Sequence, residues 1–285
     1  MVGAVAHPVK EDRPSDTALG ASLIRSVHQL IDDRPLILED PVSPRLLTAE
    51  TLAAIAAAPS RYQSPQARGL RSHVVLRSRY AEDRLHEAVE DGVRQLINVG
   101  AGFDTFAFRQ PPWAEHLRIV EADHPASQAA KVEYFSNRDL RAPENTAFVP
   151  VDLEKDGLAA ALSAHGIHLE LPTFFACLGV LAYLTPAAIA ATVEGIAAIP
   201  GTRALVLAFA PREPDRKESA AAARAARGGE PWLTYFTSEE IAGLLKASGF
   251  SSVSFLSPEA AADLYYKGRS DLPAPRMARL CMASR

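Results

Sequence analysis

Hydrophobic positions along this chain follow two different periods. Leu19, Leu23, Ile24, Val27 and Leu30 share one face of a 3.6-residue repeat, which predicts a helix over 17–30. Thr48 is placed to cap a helix over 51–58 that Pro59 ends, and the basic stretch 68–84 reads as a further helix. Nothing before residue 94 has the pattern of sheet. Beyond it, short apolar runs predict strands at Leu96–Val99, Arg118–Glu121, Ala147–Val151, Thr173–Cys177, Ala204–Phe209, Ser252–Leu256 and Arg279–Ala283. Between them lie predicted helices at Ala126–Asn137, Leu158–His165, Pro186–Ala198 and Ser238–Ser248, the last stopped by Gly249. Alanine-rich Ser219–Ala226 is also expected to be helical. Strands alternating with helices argue for an α/β fold, a mostly parallel sheet covered on both faces.

The first predicted strand runs directly into Gly100-Ala-Gly102-Phe-Asp104, and the second ends in Glu121-Ala-Asp123. Glycines there allow a tight turn and the approach of a ligand to bare backbone, and an acid at the tip of the next strand can accept hydrogen bonds from both ribose hydroxyls. The third glycine of the dinucleotide fingerprint is missing, because Thr105 and Phe106 stand near its place. Spacing alone therefore leaves a nucleotide-like ligand, a nicotinamide dinucleotide included, beside a plain strand-turn with a surface acid.

With 285 residues the chain can bury a substantial core without cross-links. Cys177 and Cys281 sit inside apolar runs rather than in metal-like spacings, so they read as buried small hydrophobes in a reducing compartment and no metal site is expected. Thirty basic against 34 acidic residues leave a net charge of −4, which provides no basic field for a nucleic acid. Neither a signal peptide nor a membrane span is visible, and a cytoplasmic location is expected.

Several blocks in order resemble the leucine carboxyl methyltransferase-like family of S-adenosylmethionine-dependent methyltransferases, in particular its bacterial small-molecule branch. They are Arg77-Ser-Arg79-Tyr80-Ala-Glu82-Asp83, Asn98-Val-Gly100-Ala-Gly102-Phe-Asp104-Thr105, Glu121-Ala-Asp123-His124-Pro125, Val151-Asp152-Leu153 and Leu178-Gly179-Val180-Leu181-Ala182-Tyr183-Leu184-Thr185. The tail blocks Pro231-Trp232 to Thr237 and Tyr265-Tyr266-Lys-Gly-Arg269 are similar too. The resemblance implies the class I, Rossmann-like methyltransferase fold, with seven strands, the last antiparallel, and a helical N-terminal cover. The chain is expected to divide into a mobile N-terminus over 1–14, the cover over 15–93, and the cofactor-binding core over 94–285, with substrate-side segments near 211–237 and 257–275.

By the same resemblance Arg77 holds the carboxylate of S-adenosyl-L-methionine and Gly100 and Gly102 pass under its methionine portion, with Asp104 alongside. Asp123 holds the ribose, and Asp152 with Leu153 frames the adenine. Leu178 stands where many relatives carry a glutamate, which leaves Tyr183 as the polar group near the methyl donor. Tyr183, Tyr235, Tyr266 and Arg269 are the expected acceptor contacts, with Tyr183 in a positioning role.

Several residues keep a second reading. Arg77 and Arg79 diverge by roughly 200° on a helix, so one faces a ligand if the other meets solvent, and both could instead be salt-bridged by Glu82 and Asp83. Asp104 can cap a following helix, His124 suits a turn, and Tyr183 could be core with its hydroxyl tied to backbone. His28, His73, His165 and His168 show no partner. The expectation is an O-methyltransferase acting on a small metabolite of secondary metabolism, a carboxylate or acidic hydroxyl, with a nicotinamide-dependent oxidoreductase or a non-catalytic cofactor-binding protein as alternatives.

Overall fold

The computed structural model describes residues 16–212, 220–227, 229–277 and 279–285. The segment 1–14, Ser219 and part of 211–237 lie outside the described residues. Seven strands form a single sheet: β1 (Gln95–Val99), β2 (Arg118–Asp123), β3 (Thr146–Pro150), β4 (Thr173–Cys177), β5 (Thr202–Ala208), β6 (Ser252–Phe255) and β7 (Leu280–Ser284). Their spatial order is β3-β2-β1-β4-β5-β7-β6. The first five run parallel, and β7 is antiparallel to both β5 and β6.

All five residues of β1 are buried, as a central parallel strand covered on both faces demands. Alternation then assigns its side chains. Ile97 and Val99 join a core with Val120, Phe175, Leu205, and the inner faces of α5 (Leu158–Ala164), α6 (Pro186–Ala198) and α8 (Ser238–Ala247). Leu96 points the other way, with Ile119, Phe174 and Val206, into a second core.

That second core is closed by α3 (Pro65–Glu90), a helix longer than the basic stretch suggested, through Val75, Leu76, Tyr80 and Leu85. Ser64 caps it and Pro65 occupies its first turn, where the missing amide hydrogen costs nothing. The helical cover is therefore also one wall of the sheet. α1 (Asp16–Ile31) packs on α3, and α2 (Ala49–Ala57) starts where Thr48 accepts the Thr51 amide at 3.2 Å. A third, small cluster of Val42, Leu46, Phe103, Phe135 and Leu140 locks the cover onto the loop after β1 and onto α4 (Pro125–Ser136).

The connection 257–275 is more ordered than its polarity suggested. It opens with α9 (Pro258–Ala261) and a π turn over Ala262–Tyr266 that buries Tyr266, and its far end, from Pro273, turns back to line a cavity. α7 (Ala220–Arg227) confirms the helical reading within the described residues. Strand order reverses at β1, whose neighbours leave on opposite sides, and this opens a crevice beyond the carboxyl ends of β1 and β4.

Candidate functional site

Glycines shape the crevice first. Gly100 and Gly102 have φ of +67° and +49°, so the backbone leaves β1 in a turn that residues with a Cβ enter only at a cost. Gly100 also lies so close to Val180, in the loop after β4, that a Cβ there would collide with its side chain. The turn is tied to the tip of β2: Gly100 donates to the Ala122 carbonyl at 2.7 Å, and Asp123 Oδ2 accepts the Gly102 amide while Oδ1 accepts that of His124 at 2.7 Å. Burial raises the Asp123 carboxyl above its ordinary range, and these two amide bonds act against the rise. Asp104 Oδ1 accepts the Phe106 amide at 2.9 Å, a local turn ahead of the short helical turn Phe106–Phe108, whose N-cap is Thr105 and has no side-chain capping bond.

Residues of α3 form the facing wall. Leu70, His73 and Arg77 follow one another at three- and four-residue spacing and all line the cavity. Arg79 turns to solvent and pairs with Asp83 at 2.8 Å, while Glu82 pairs with Arg109. The helix thus separates the two arginines, and Arg77 is the one that looks inward. Its guanidinium rests against Gly179, which at φ +77° keeps the contact open because a Cβ there would overlap it. No hydrogen bond or ion pair to Arg77 exists among the described residues. Burial brings its pKa down to about 10, Arg25 adds to the depression, and Tyr183 and Asp104 oppose it.

Asp152 and Leu153 line the opposite end. Asp152 accepts the Glu154 amide at 3.0 Å and pairs with Lys155 at 3.0 Å; burial acts to raise its pKa, but these contacts, with His124 nearby, hold it below the ordinary value. His124 caps α4, its Nδ1 accepting the Ala126 amide at 3.3 Å, which agrees with a turn role. Leu178 lines the cavity beside Gly179, and Tyr183 presents a hydroxyl with no hydrogen-bond partner among the described residues, so it is not tied to backbone.

Three expected acceptor contacts are not brought to the cavity. Tyr266 is 6% exposed and its hydroxyl bonds Ser72 Oγ at 2.6 Å, an apolar ring in the second core with its polar end satisfied there. Arg269 is consumed by Asp271 at 2.6 Å and by the carbonyls of Asp33 and Pro35, and so straps the 257–275 connection to the cover. Tyr235 does not line the cavity; its ring lies tilted at 55° against Trp232, 6.0 Å between ring centres, and Trp232 lines the cavity in its stead. The cavity is lined instead by His73, which sequence reasoning left without a role, and by Pro273–Met277, the end of the substrate-side segment 257–275 and the two residues after it. The four-residue spacing of His73 and Arg77 was the available signal.

The volume of this open cleft is about 1510 Å³, more than the 300–1,000 Å³ or so of a site for one small molecule. Beneath it, Asp40 is fully buried and accepts from Arg25 Nε at 2.9 Å, Thr105 Oγ1 at 2.8 Å and the Ser43 amide at 2.9 Å, while Arg25 also donates to the Phe103 carbonyl at 2.6 Å. This network clamps the helical cover onto the glycine loop.

The sequence profile described as leucine carboxyl methyltransferase matches residues 18–197. The chain belongs to the leucine carboxyl methyltransferase family. A relative in Bacillus subtilis (strain 168), named "Putative S-adenosyl-L-methionine-dependent methyltransferase YktD", is 32% identical over 68% of this chain and 66% of its own. A second, in Frankia alni, bears the same description and is 30% identical over 64% of each chain. The match thus spans just under two thirds of these relatives' length. Among solved structures, a crystal structure from Thermobifida fusca YX described as that of a "putative methyltransferase" superposes with a TM-score of 0.57, covering 100% of this chain and 99% of its own at 16% identity. That likeness supports the class I methyltransferase fold. No helix among the described residues is long and apolar enough to cross a membrane.

Proposed function

We propose that this member of the family transfers a methyl group from S-adenosyl-L-methionine to an oxygen of a small acceptor, a carboxylate or acidic hydroxyl. The observation that carries the reading is the Arg77 guanidinium, without an ion-pair partner among the described residues, held over Gly179 in the same crevice as the bare backbone of Gly100–Gly102 and the Asp123 carboxylate. A half-buried cation of this kind calls for an anion, and guanidinium matches a carboxylate through paired donors. Asp123 keeps lone pairs for vicinal hydroxyls, and Leu153 offers an apolar face beside the Asp152 acceptor. The donor set therefore fits an amino-acid carboxylate, a ribose and a purine in one ligand.

When bound, the sulfonium supplies an electrophilic methyl group. The chain's own part is to bind, to align an acceptor oxygen in line behind that methyl, and to keep water out. A volume larger than one ligand needs leaves room for the acceptor. A carboxylate, already ionised near neutral pH, needs no base. Family membership supports methyl transfer over the hydride transfer that the glycine turn alone would also allow.

Calorimetry with S-adenosylmethionine and with NAD, followed by mass spectrometry of metabolites incubated with isotopically labelled methyl donor, tests the reading. Binding of the sulfonium compound, silence toward NAD and a labelled methyl ester or ether are expected. Tight NAD binding without the other, or labels only on nitrogen or carbon, refute it.

A further inference from the structure

A second, much smaller void of about 30 Å³ lies behind the cleft, between α3 and the strand pair β1–β4. Ser78 and Glu82 of α3, Asn98 near the end of β1, Asp104 of the glycine loop and Leu178 supply its wall on the cleft side. Ser78, Asn98, Asp104 and Leu178 line the cleft as well, so the void is a niche in the cleft wall. It has room for a group the size of a water molecule, and a space that small keeps the polar side chains around it within reach of one guest.

The polar lining of the niche is unevenly spent. Glu82 gives both oxygens to Arg109. Asn98 is 9% exposed and, by alternation, faces α3 as Leu96 does, yet its side-chain amide has no hydrogen bond among the described residues. The Ser78 hydroxyl, on a residue 5% exposed, has none there either, and Asp104 uses Oδ1 for the Phe106 amide while Oδ2 has no partner. Buried polar groups are ordinarily satisfied, so three open acceptors around one small space point to a missing donor. A primary ammonium donates three hydrogen bonds, accepts none, and meets the Asp104 charge that a water would leave unmatched. The acids at the other end of the cleft are committed: Asp123 holds the Gly102 and His124 amides, Asp152 pairs with Lys155, and Glu154 accepts from the Thr185 amide and hydroxyl. Arg77 directly precedes Ser78 in α3, so an anion site and a cation site adjoin, the pairing of charges that an α-amino acid carries.

We propose that Asn98 and Asp104 receive the ammonium of the methyl donor's amino-acid end, in the niche beside the Arg77 site for its carboxylate. The inference rests on the reading of the cleft as an S-adenosylmethionine site and adds the second charged group of that ligand. Asn98 supplies a neutral acceptor from the sheet, and Asp104 supplies the countercharge from the loop.

The test is calorimetry of the whole chain with S-adenosylhomocysteine and with its desamino analogue, which lacks only the amino group. Wild type is expected to bind the amino compound about 10- to 150-fold more tightly, the range for hydrogen bonds to a charged group. Asn98→Leu, which keeps the volume in the strand, and Asp104→Asn, which keeps the bond to the Phe106 amide, are each expected to lose about tenfold for S-adenosylhomocysteine. Both are expected to stay within about twofold of wild type for the desamino compound, because the lost partner is absent from that ligand. In wild-type protein labelled with ¹⁵N-asparagine, S-adenosylhomocysteine is expected to move the Asn98 side-chain signals far more than the desamino compound does, so a variant that fails to fold does not shield the proposal. Equal affinity of wild type for the two compounds, equal loss of both in N98L or D104N, or equal movement of the Asn98 signals overturns it and leaves the methyl-donor reading standing. Binding of neither compound by wild type removes that reading, and the ammonium site with it.

Discussion

Replacing Gly179 with alanine tests how the crevice holds its cation. At φ +77° the residue is in the left-handed region, where a Cβ costs about 1–2 kcal/mol. The new methyl would overlap Arg77 Nη1 and come within 2.9 Å of Cζ. Because the end of a flexible side chain gives way before a strand does, the guanidinium is displaced and the sheet stays. A charge-assisted pair with a carboxylate is worth about 1.5–3 kcal/mol, so losing its alignment weakens S-adenosylhomocysteine binding by about 10- to 150-fold. Isothermal titration of wild type, G179A, R77Q and the double variant measures this, with a fall of a few degrees in the melting temperature of G179A. The effects are expected to be non-additive: once Arg77 is gone, the alanine has nothing further to displace. Unchanged affinity in G179A, or losses that simply sum in the double variant, would refute the reasoning.

Three further outcomes follow from buried charges. Asp40→Ala leaves Arg25 and the Thr105 hydroxyl without their shared acceptor under the glycine loop, and is expected to cost about 3–5 kcal/mol in urea unfolding; a loss below about 1 kcal/mol would show that the clamp is idle. Lys131 and Glu121 pair fully inside the protein, where burial lifts the carboxyl up to about 7 against the pull of Lys131. E121Q is expected to be destabilised by about 3–5 kcal/mol and the apolar double E121L/K131M by much less, a pattern that denaturation of both variants checks. A folded pKa above the unfolded one means the Glu121 contribution is full below pH 4.5 and lost as pH rises through about 7, a slope the double variant lacks. His73 has the opposite sign. With its folded pKa below 6.5, its contribution is full above that value and lost as pH falls, so H73Q should gain on wild type between pH 7 and 5; a constant stability difference would contradict a neutral ring in the fold.

Much of the architecture was legible along the chain. Continuous apolar runs marked the buried strands, 3.6-residue spacing marked the helices, and Thr48 and Gly249 marked element ends through a local hydrogen bond and a positive φ. Gly100, Gly102 and Asp123 were visible because a turn and a strand-tip acid are short-range features. Spacing also showed that Arg77 and Arg79 cannot share a face, though not which of them looks inward.

What the sequence left open were meetings between distant segments. Gly179 makes room for Arg77 from a loop about a hundred residues away. Tyr235, Tyr266 and Arg269 have the polarity of site residues, yet a partner supplied by folding, Ser72 for Tyr266 and Asp271 with two carbonyls for Arg269, consumed their hydrogen bonds elsewhere. His73 became a cavity residue only when α3 docked on the sheet. Local chemistry thus determined the elements and the cofactor turn, while the tertiary structure alone decided which polar groups are spent in the core and which face the cavity. The physical reason is that side-chain period is encoded over a few residues, whereas the satisfaction of a buried donor or charge depends on groups brought together from across the whole chain.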